Sequence, residues 1–260
     1  MAWKLLYAFN VKEAMSGVYP EIAQHMMDVS SSHHLRSAPL DHLPGYAYEC
    51  KIERDGFDVS LFATHAIDYP ESIQNAVSTR QAEFFAGRLA ARSALHHLGF
   101  AQHSITLRKD RTPGWPPGIV GTISHNRHHA VACARQAHTQ DDGIGLDIED
   151  IISEKTAQRI VGHILSADER THLTTKYPRE FAKGVTLAFS AKESLFKALY
   201  PHVGIYFDFL DVRIVKADTH TLTLQLMRTL SPQCPVGTSF TAHIHPYRGG
   251  VLTYVDLASS

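Results

Sequence analysis

Cysteine is scarce in this chain of 260 residues: Cys50, Cys133 and Cys234 are scattered and odd in number. They frame no disulfide scaffold and fit a reducing compartment. Neither sign of charge is in excess. With a net charge of −1, no global basic field draws the chain to nucleic acid or to a membrane surface. No apolar run approaches membrane-spanning length. Leu5-Leu6-Tyr7-Ala8-Phe9 is cut off by Lys12 and Glu13, too short for the core of a secretory signal. The expectation is a soluble, cytoplasmic protein with no nucleic-acid partner and no membrane span. At 44% hydrophobic and 20% charged, it can bury a substantial core in one large domain or two smaller ones.

Histidine, by contrast, is abundant, at 18 residues. His33-His34 and His128-His129 are adjacent pairs, and His125 with His129 has the spacing of a helical metal pair. Yet residues 121–132 read better as strand, turn, strand, and no cysteine–histidine set completes a tetrahedral zinc site. Most of these histidines read as surface residues.

Along the chain, residues 11–29 suit a helix, while Ser30-Ser31-Ser32-His33-His34 and the prolines at 39 and 44 mark a loop. Residues 46–66 suggest paired strands around the Asp55-Gly56 turn. Ser78-Thr79-Arg80-Gln81 fits a capping box opening a helix to about Leu98, with Gly99 as its stop and Phe84, Ala91, Leu95 and Leu98 as its apolar stripe. A rigid basic loop over 108–118 leads into a strand that delivers Ser124 and His125, and a second strand covers 130–135. Residues 136–143 form a seam between two halves. After it come the strand of GIGLDIED, a helix capped at Ser166 with Glu169 three residues on, and a helix after Tyr177-Pro178. Alternation through Val212, Ile214 and Val215, Leu222 to Leu226, Phe240 to Ile244 and Val251 to Val255 predicts strands of a mostly antiparallel sheet. The fold class is α+β, each half with a long helix and several strands.

The chemistry concentrates in two segments. Ile144, Leu146 and Ile148 alternate with Gly145, Asp147 and Glu149, so the two carboxylates project from one side of a strand. That suits a hard divalent cation, which wants oxygen ligands and keeps several waters. In FSAKESLFK, Glu193 and Lys197 lie one helical turn apart on one face, a carboxylate and a cation that a phosphate could bridge. Plainer readings exist: a solvent-facing Asp-x-Glu, a capping box from Ser190 to Glu193, and an ordinary surface ion pair. Arg80, Arg88, Arg108, Arg111, His125 and Lys197 lie near loop or helix ends. Arginine forks match phosphate oxygens, although arginines on an exposed helix face are commonly just solvated. Trp115 reads as a packing anchor.

Four segments in order, RQAEFFAGRLAAR from Arg80, PGWPPGIVGTISH from Pro113, GIGLDIE from Gly143 and LAFSAKESLFKA from Leu187, resemble the Sfp-type 4′-phosphopantetheinyl transferases in their EntD-like branch. The resemblance covers about residues 46–210. Thr122 stands where serine is commoner, and Ser190 where other branches carry tryptophan. The resemblance implies two similar α+β halves in one chain, 1–142 and 143–260, with the active site in the cleft between them. It implies transfer of the 4′-phosphopantetheine arm of coenzyme A to a serine of an apo carrier protein, with release of 3′,5′-adenosine bisphosphate. It further implies Asp147, Glu149 and Glu193 as ligands of Mg2+, with Mn2+ the alternative. Glu193 and Lys197 would be catalytic, and Arg80, Arg88, Arg108, Arg111, Ser124, His125, Asp147 and Lys197 would bind the coenzyme, His125 at its 3′-phosphate. Two fused halves suggest a monomer, and the branch suggests siderophore or secondary-metabolite assembly. The rival readings are a Mg-dependent nucleotide-anhydride hydrolase and a non-catalytic module that binds carrier protein and coenzyme A.

Overall fold

The computed structural model describes residues 37–100, 103–176 and 179–259. The expected helix over 11–29, the His33-His34 pair and Tyr177-Pro178 lie outside the described residues. In chain order the elements are β1 (Ser37–Leu40), β2 (Tyr46–Lys51), α1 (Ser60–Thr64), α2 (Glu71–Gln74), α3 (Ser78–His97), β3 (Thr106–Leu107), β4 (Pro113–Gly114), β5 (Ile119–His125), β6 (His129–Gln136) and β7 (Ile144–Glu149). Then follow α4 (Glu154–Ile164), α5 (Ala167–Lys176), α6 (Phe181–Val203), a 3-10 turn at Phe209–Asp211, β8 (Val212–Ala217), β9 (Thr221–Leu226), β10 (Ser239–Tyr247) and β11 (Gly250–Asp256). This is the α+β mixture the sequence predicts.

Two antiparallel sheets carry the long helices. One has the order β1-β2-β6-β5 and packs against α3; the other runs β7-β11-β10-β9-β8 and packs against α6. The α3 stripe of Phe84, Ala91 and Leu95 is buried, with Ala82, Phe85 and Ala90 widening it. Leu98 caps the helix and Gly99 follows with a φ of 88°, a left-handed residue that ends the helix without steric cost. In the second sheet Leu222, Leu224 and Leu226 alternate inward as read.

Three local expectations are corrected. Asp55-Gly56 does turn the chain, Gly56 having a φ of 66°, but no strand follows it. Asp58 instead accepts from the Ser60 backbone (2.8 Å) and hydroxyl (2.6 Å), starting α1 and driving Phe62 into the core. β2 pairs with β1 and β6, and Pro39, read as loop, lies in the edge strand β1, where a missing N–H is tolerated. The capping box at 78–81 also fails: Val77 occupies the cap with no side-chain bond, and the Gln81 amide donates to the carbonyls of Ile73, Gln74 and Ala76. The box at Ser166 and Glu169 is present, each side chain accepting from the other's backbone N–H. Helix α4, capped by Ser153, is an element the sequence reading passed over.

The edge strands β5 and β7 bring the sheets together. Leu146 N–H donates to the Thr122 hydroxyl (3.1 Å) and Ile148 N–H to the Ser124 hydroxyl (3.3 Å), so side-chain oxygens stand in for a backbone ladder. Thr122 therefore supplies the hydroxyl that serine would. Ion pairs pin the flanks. Arg135 on β6 donates to Asp142 (2.7 Å) and to Asp256 at the end of β11, all three largely buried. Glu49 on β2 accepts from Tyr247 (2.7 Å) and Arg248 in the β10–β11 hairpin. Burial alone would raise the Glu49 pKa, but those hydrogen bonds hold it below the usual carboxylate range.

Thr122→Val keeps the shape and removes one rung. It leaves the buried Leu146 N–H without that acceptor and is expected to cost about 1–3 kcal/mol, read as a lower urea midpoint at unchanged slope. An unchanged midpoint would mean the rung carries no stability.

Candidate functional site

Gly143-Ile144-Gly145 explains how a helix comes to lie on β7. Ile144, Leu146 and Ile148 enter the core with Val131, Cys133 and Leu252, which turns Gly145, Asp147 and Glu149 toward α6. A methyl group on Gly145 would overlap the Ser194 carbonyl, so only glycine admits the helix backbone at this distance. On the helix, Ser190 and Ser194 are fully buried and meet Thr253 of β11 hydroxyl to hydroxyl, at 2.9 and 2.8 Å. Ser190 lies in the middle of α6, so the alternative that it caps a helix with Glu193 does not hold. A residue as small as serine fits this close contact.

The close approach places Lys197 on Asp147. Its ammonium donates to Asp147 Oδ1 at 2.7 Å and to the Leu146 carbonyl at 3.0 Å. The same carboxylate oxygen accepts from Ser124 Oγ at 2.7 Å. Asp147 is fully buried and Glu149 nearly so. β5, β7 and α6 thus converge on one carboxylate. Just past the strand ends, Asn126 donates to Asp150 (2.9 Å) and accepts from the backbones of His128 and His129, fixing the β5–β6 turn beside Glu149.

Glu193, one turn before Lys197, borders a cleft of about 100 Å³ with Phe196, Tyr206, Phe207, Asp208 and Val212. Burial, with the nearby Asp208 and Glu193 charges, pushes the Tyr206 phenol up to about 12, so it stays a neutral wall of the cleft. Lys192, next to Glu193, has another task. Its buried ammonium donates to the carbonyls of Ile164 (2.8 Å), Phe209 (3.1 Å) and Val212 (2.7 Å) and pairs with Glu169 at 3.0 Å. This fastens the far side of the cleft to α6. Sequence reading assigned Lys192 no role, and no local pattern distinguishes it from a surface lysine.

The cationic residues divide. Arg80 donates from Nη1 to His125 Nε2 at 3.0 Å, bringing α3 and the end of β5 together as one group. Arg88 lies two turns farther along, buried over the Phe84 ring at 4.4 Å, and lines a separate narrow cleft with Asp68, Arg92 and His103. Burial, reinforced by the Arg80 charge, pulls its pKa down to about 10, which still leaves it cationic at neutrality. Arg108 and Arg111 lie on the exposed turn of the β3–β4 hairpin. No hydrogen bond or ion pair among the described residues ties them to Arg80, His125 or Asp147. Two further members were not anticipated. Glu83 lies among Arg54, Arg80 and His125, with Arg54 Nη2 donating to it at 2.9 Å. The Arg80–Glu83 spacing on a helix could have revealed that pair; Arg54 comes from a distant loop with no local signal.

Among the described residues, no three His, Cys, Asp or Glu side chains form a ready-made metal cage. The carboxylates around the Asp147–Lys197 pair are Asp147 and Glu149 on one side of β7, and Glu193 one helical turn before Lys197 on α6. Oxygen-only donors fit a hard cation such as Mg2+, which is held by one or two carboxylates together with substrate phosphates rather than by a protein cage.

Comparison with known proteins gives two matches in tandem. A sequence profile described as the 4′-phosphopantetheinyl transferase N-terminal domain matches residues 68–135, and one described as the 4′-phosphopantetheinyl transferase superfamily matches 143–251. Enterobactin synthase component D of Salmonella typhimurium is 37% identical over 152 residues, 57% of this chain and 62% of the relative. Its Salmonella typhi counterpart is 33% identical over 174 residues, 66% of this chain and 71% of the relative. The 4′-phosphopantetheinyl transferase Svp of Streptomyces mobaraensis is 32% identical over 165 residues, 61% of this chain and 65% of the relative. The first of these matches thus spans less than two thirds of that relative's own length.

Gly145→Ala is expected to push α6 off β7 and destabilise the protein by about 1–3 kcal/mol, as overpacking does, lowering the urea midpoint. A midpoint at the wild-type value would mean that the close approach is dispensable.

Proposed function

The chain belongs to the 4′-phosphopantetheinyl transferase superfamily, and from that premise we propose that it transfers the 4′-phosphopantetheine arm of coenzyme A to a serine hydroxyl of an apo carrier protein. The observation that carries the proposal is the convergence on Asp147 of Ser124 from one sheet and Lys197 from the helix against the other, beside Glu193. Such a junction offers carboxylates and a cation to a pyrophosphate laid across it. Enterobactin synthase component D points to siderophore assembly as the setting.

In this reading Arg80 and His125 take the 3′-phosphate of coenzyme A, with Arg88, Arg108, Arg111 and Ser124 completing the coenzyme site. Asp147, Glu149 and Glu193 would hold a divalent cation, Mg2+ or Mn2+, which when bound supplies charge neutralisation at the pyrophosphate. The aromatic cleft beside Glu193 takes the pantetheine arm, an uncharged chain suited to Phe196, Tyr206 and Phe207. The carrier serine oxygen bonds to the phosphorus that bears pantetheine, and the anhydride bond to the adenosine side breaks. The serine proton passes to the Glu193 carboxylate, directly or through a water. The 3′,5′-adenosine bisphosphate leaves with its new charge facing the Lys197 ammonium. The division into halves at 142/143 belongs to this reading, with coenzyme contacts mainly before it and the carboxylates after it. The protein side contributes positioning and charge rather than covalent intermediates.

The test is the intact mass of an apo carrier protein after incubation with this protein, coenzyme A and Mg2+. The expected result is a gain of one phosphopantetheine, abolished by EDTA and lowered at least about 100-fold in rate by Glu193→Ala, the range of a lost general base. Coenzyme binding without transfer to any of several carriers would indicate a non-catalytic module. Coenzyme A hydrolysis without transfer would indicate a hydrolase.

A further inference from the structure

The cationic cluster at the end of β5 is built around a carboxylate. Glu83 Oε1 accepts from Arg54 Nη2 at 2.9 Å, while Oε2 faces Arg80 Nη1 at 3.4 Å and His125 Nε2 at 3.8 Å. A negative charge among cations proposed to take a phosphate has a physical cost, because it repels the ligand the cations would attract. Two explanations predict opposite effects. Glu83 could be a stand-in that a phosphate must expel, or a fixed strut that holds the cations in place.

Burial decides between them. The Glu83 side chain is 14% exposed, against 26% for Arg54, 34% for Arg80 and 29% for His125, so the carboxylate is the most buried member of the cluster and the cations are the more open to solvent. Expelling Glu83 would also strip Arg54 of its partner, and Arg54 Nε is already buried with no hydrogen-bond partner among the described residues. A half-buried guanidinium losing its carboxylate is costly. On the ligand side, Arg80 spends only Nη1 on Glu83 and His125. Among the described residues its Nε and Nη2 have no hydrogen-bond partner, which leaves one edge of the fork for an outside acceptor. Two guanidiniums against one carboxylate leave the cluster net positive.

We infer that Glu83 is a positioning residue that holds Arg80 and His125 in the geometry that accepts a phosphate, and that Arg54, bonded to the other carboxylate oxygen, is the counter-charge that anchors Glu83. This rests on the reading that Arg80 and His125 take the 3′-phosphate of coenzyme A. Arg54 reaches the cluster from the loop after β2, so a segment distant in sequence from Arg80 and His125 sets their orientation through Glu83.

The test is titration calorimetry of coenzyme A and of 3′-dephospho-coenzyme A against the wild type, Arg80→Ala, Glu83→Gln and Glu83→Asp. Glu83→Gln is expected to raise the Kd for coenzyme A about tenfold, the scale of one charge-assisted hydrogen bond. Its Kd for the dephospho compound is expected to move less than about twofold by the same reasoning, and Glu83→Asp, which keeps the charge, recovers most of the loss. Tighter or unchanged coenzyme A binding in Glu83→Gln overturns the inference, and so does an equal loss for both ligands, which marks a merely structural residue. Arg80→Ala separates the two levels. If it weakens coenzyme A while Glu83→Gln does not, the inference alone falls; if it leaves coenzyme A binding intact, the coenzyme reading of this cluster falls and takes the inference with it.

Discussion

A fully buried carboxylate holds this site together. Asp147 carries its charge in a place with no direct access to water, and such a charge is tolerated only when it is paired and hydrogen-bonded. Two of its partners come from different parts of the chain: Ser124 from β5 and Lys197 from α6. Removing either affects more than one bond, because the Ser124 hydroxyl also receives the Ile148 N–H and the Lys197 ammonium also caps the Leu146 carbonyl. The arrangement therefore couples the position of β5, the register of β7 and the seat of α6. Only glycine at 145 permits it, since the helix backbone occupies the space a side chain would need.

The rest of the architecture keeps that junction from opening. Two edge strands would ordinarily expose unpaired backbone groups. Here the β7 edge is covered by hydroxyls instead of carbonyls, and Thr122 and Ser124 are two residues apart on the same side of β5, matching the strand period. Arg135 with its two carboxylates and Glu49 with Tyr247 and Arg248 tie the same two sheets at other points. On the far side of α6, Lys192 gathers three carbonyls and Glu169, so the helix that carries Glu193 and Lys197 is held on both faces. A site whose chemistry is charge and placement benefits from such fixity, because misplacement by an ångström is costly in rate.

Much of this was legible in the sequence, for identifiable reasons. The period-2 alternation of GIGLDIE gave the strand and the side its carboxylates face, and the one-turn spacing of Glu193 and Lys197 gave their shared helix face. The capping box at Ser166 was read correctly because both its partners are local. The similar pattern at 78–81 misled, because Gln81 found three carbonyls in the preceding turn, a tertiary competitor that no local rule counts. Asp55-Gly56 misled for a similar reason: the turn is real, but Asp58 just beyond it nucleates a helix and Phe62 finds the core. Arg54, which meets Glu83 across 29 residues, and Lys192, whose partners are backbone carbonyls, were invisible because their partners are set by the fold.

In the proposed function, the Asp147 junction is where coenzyme A and a divalent cation would meet. The most direct measurement is the affinity of coenzyme A for the wild type and for Asp147→Asn, each with Mg2+ and with EDTA. Chelation is expected to weaken binding to the wild type by about tenfold or more, the worth of a lost charge-assisted contact. Asp147→Asn is expected to bind equally weakly in both conditions. Wild-type binding indifferent to EDTA, or full dependence on Mg2+ retained by Asp147→Asn, would mean that Asp147 holds no cation at the coenzyme.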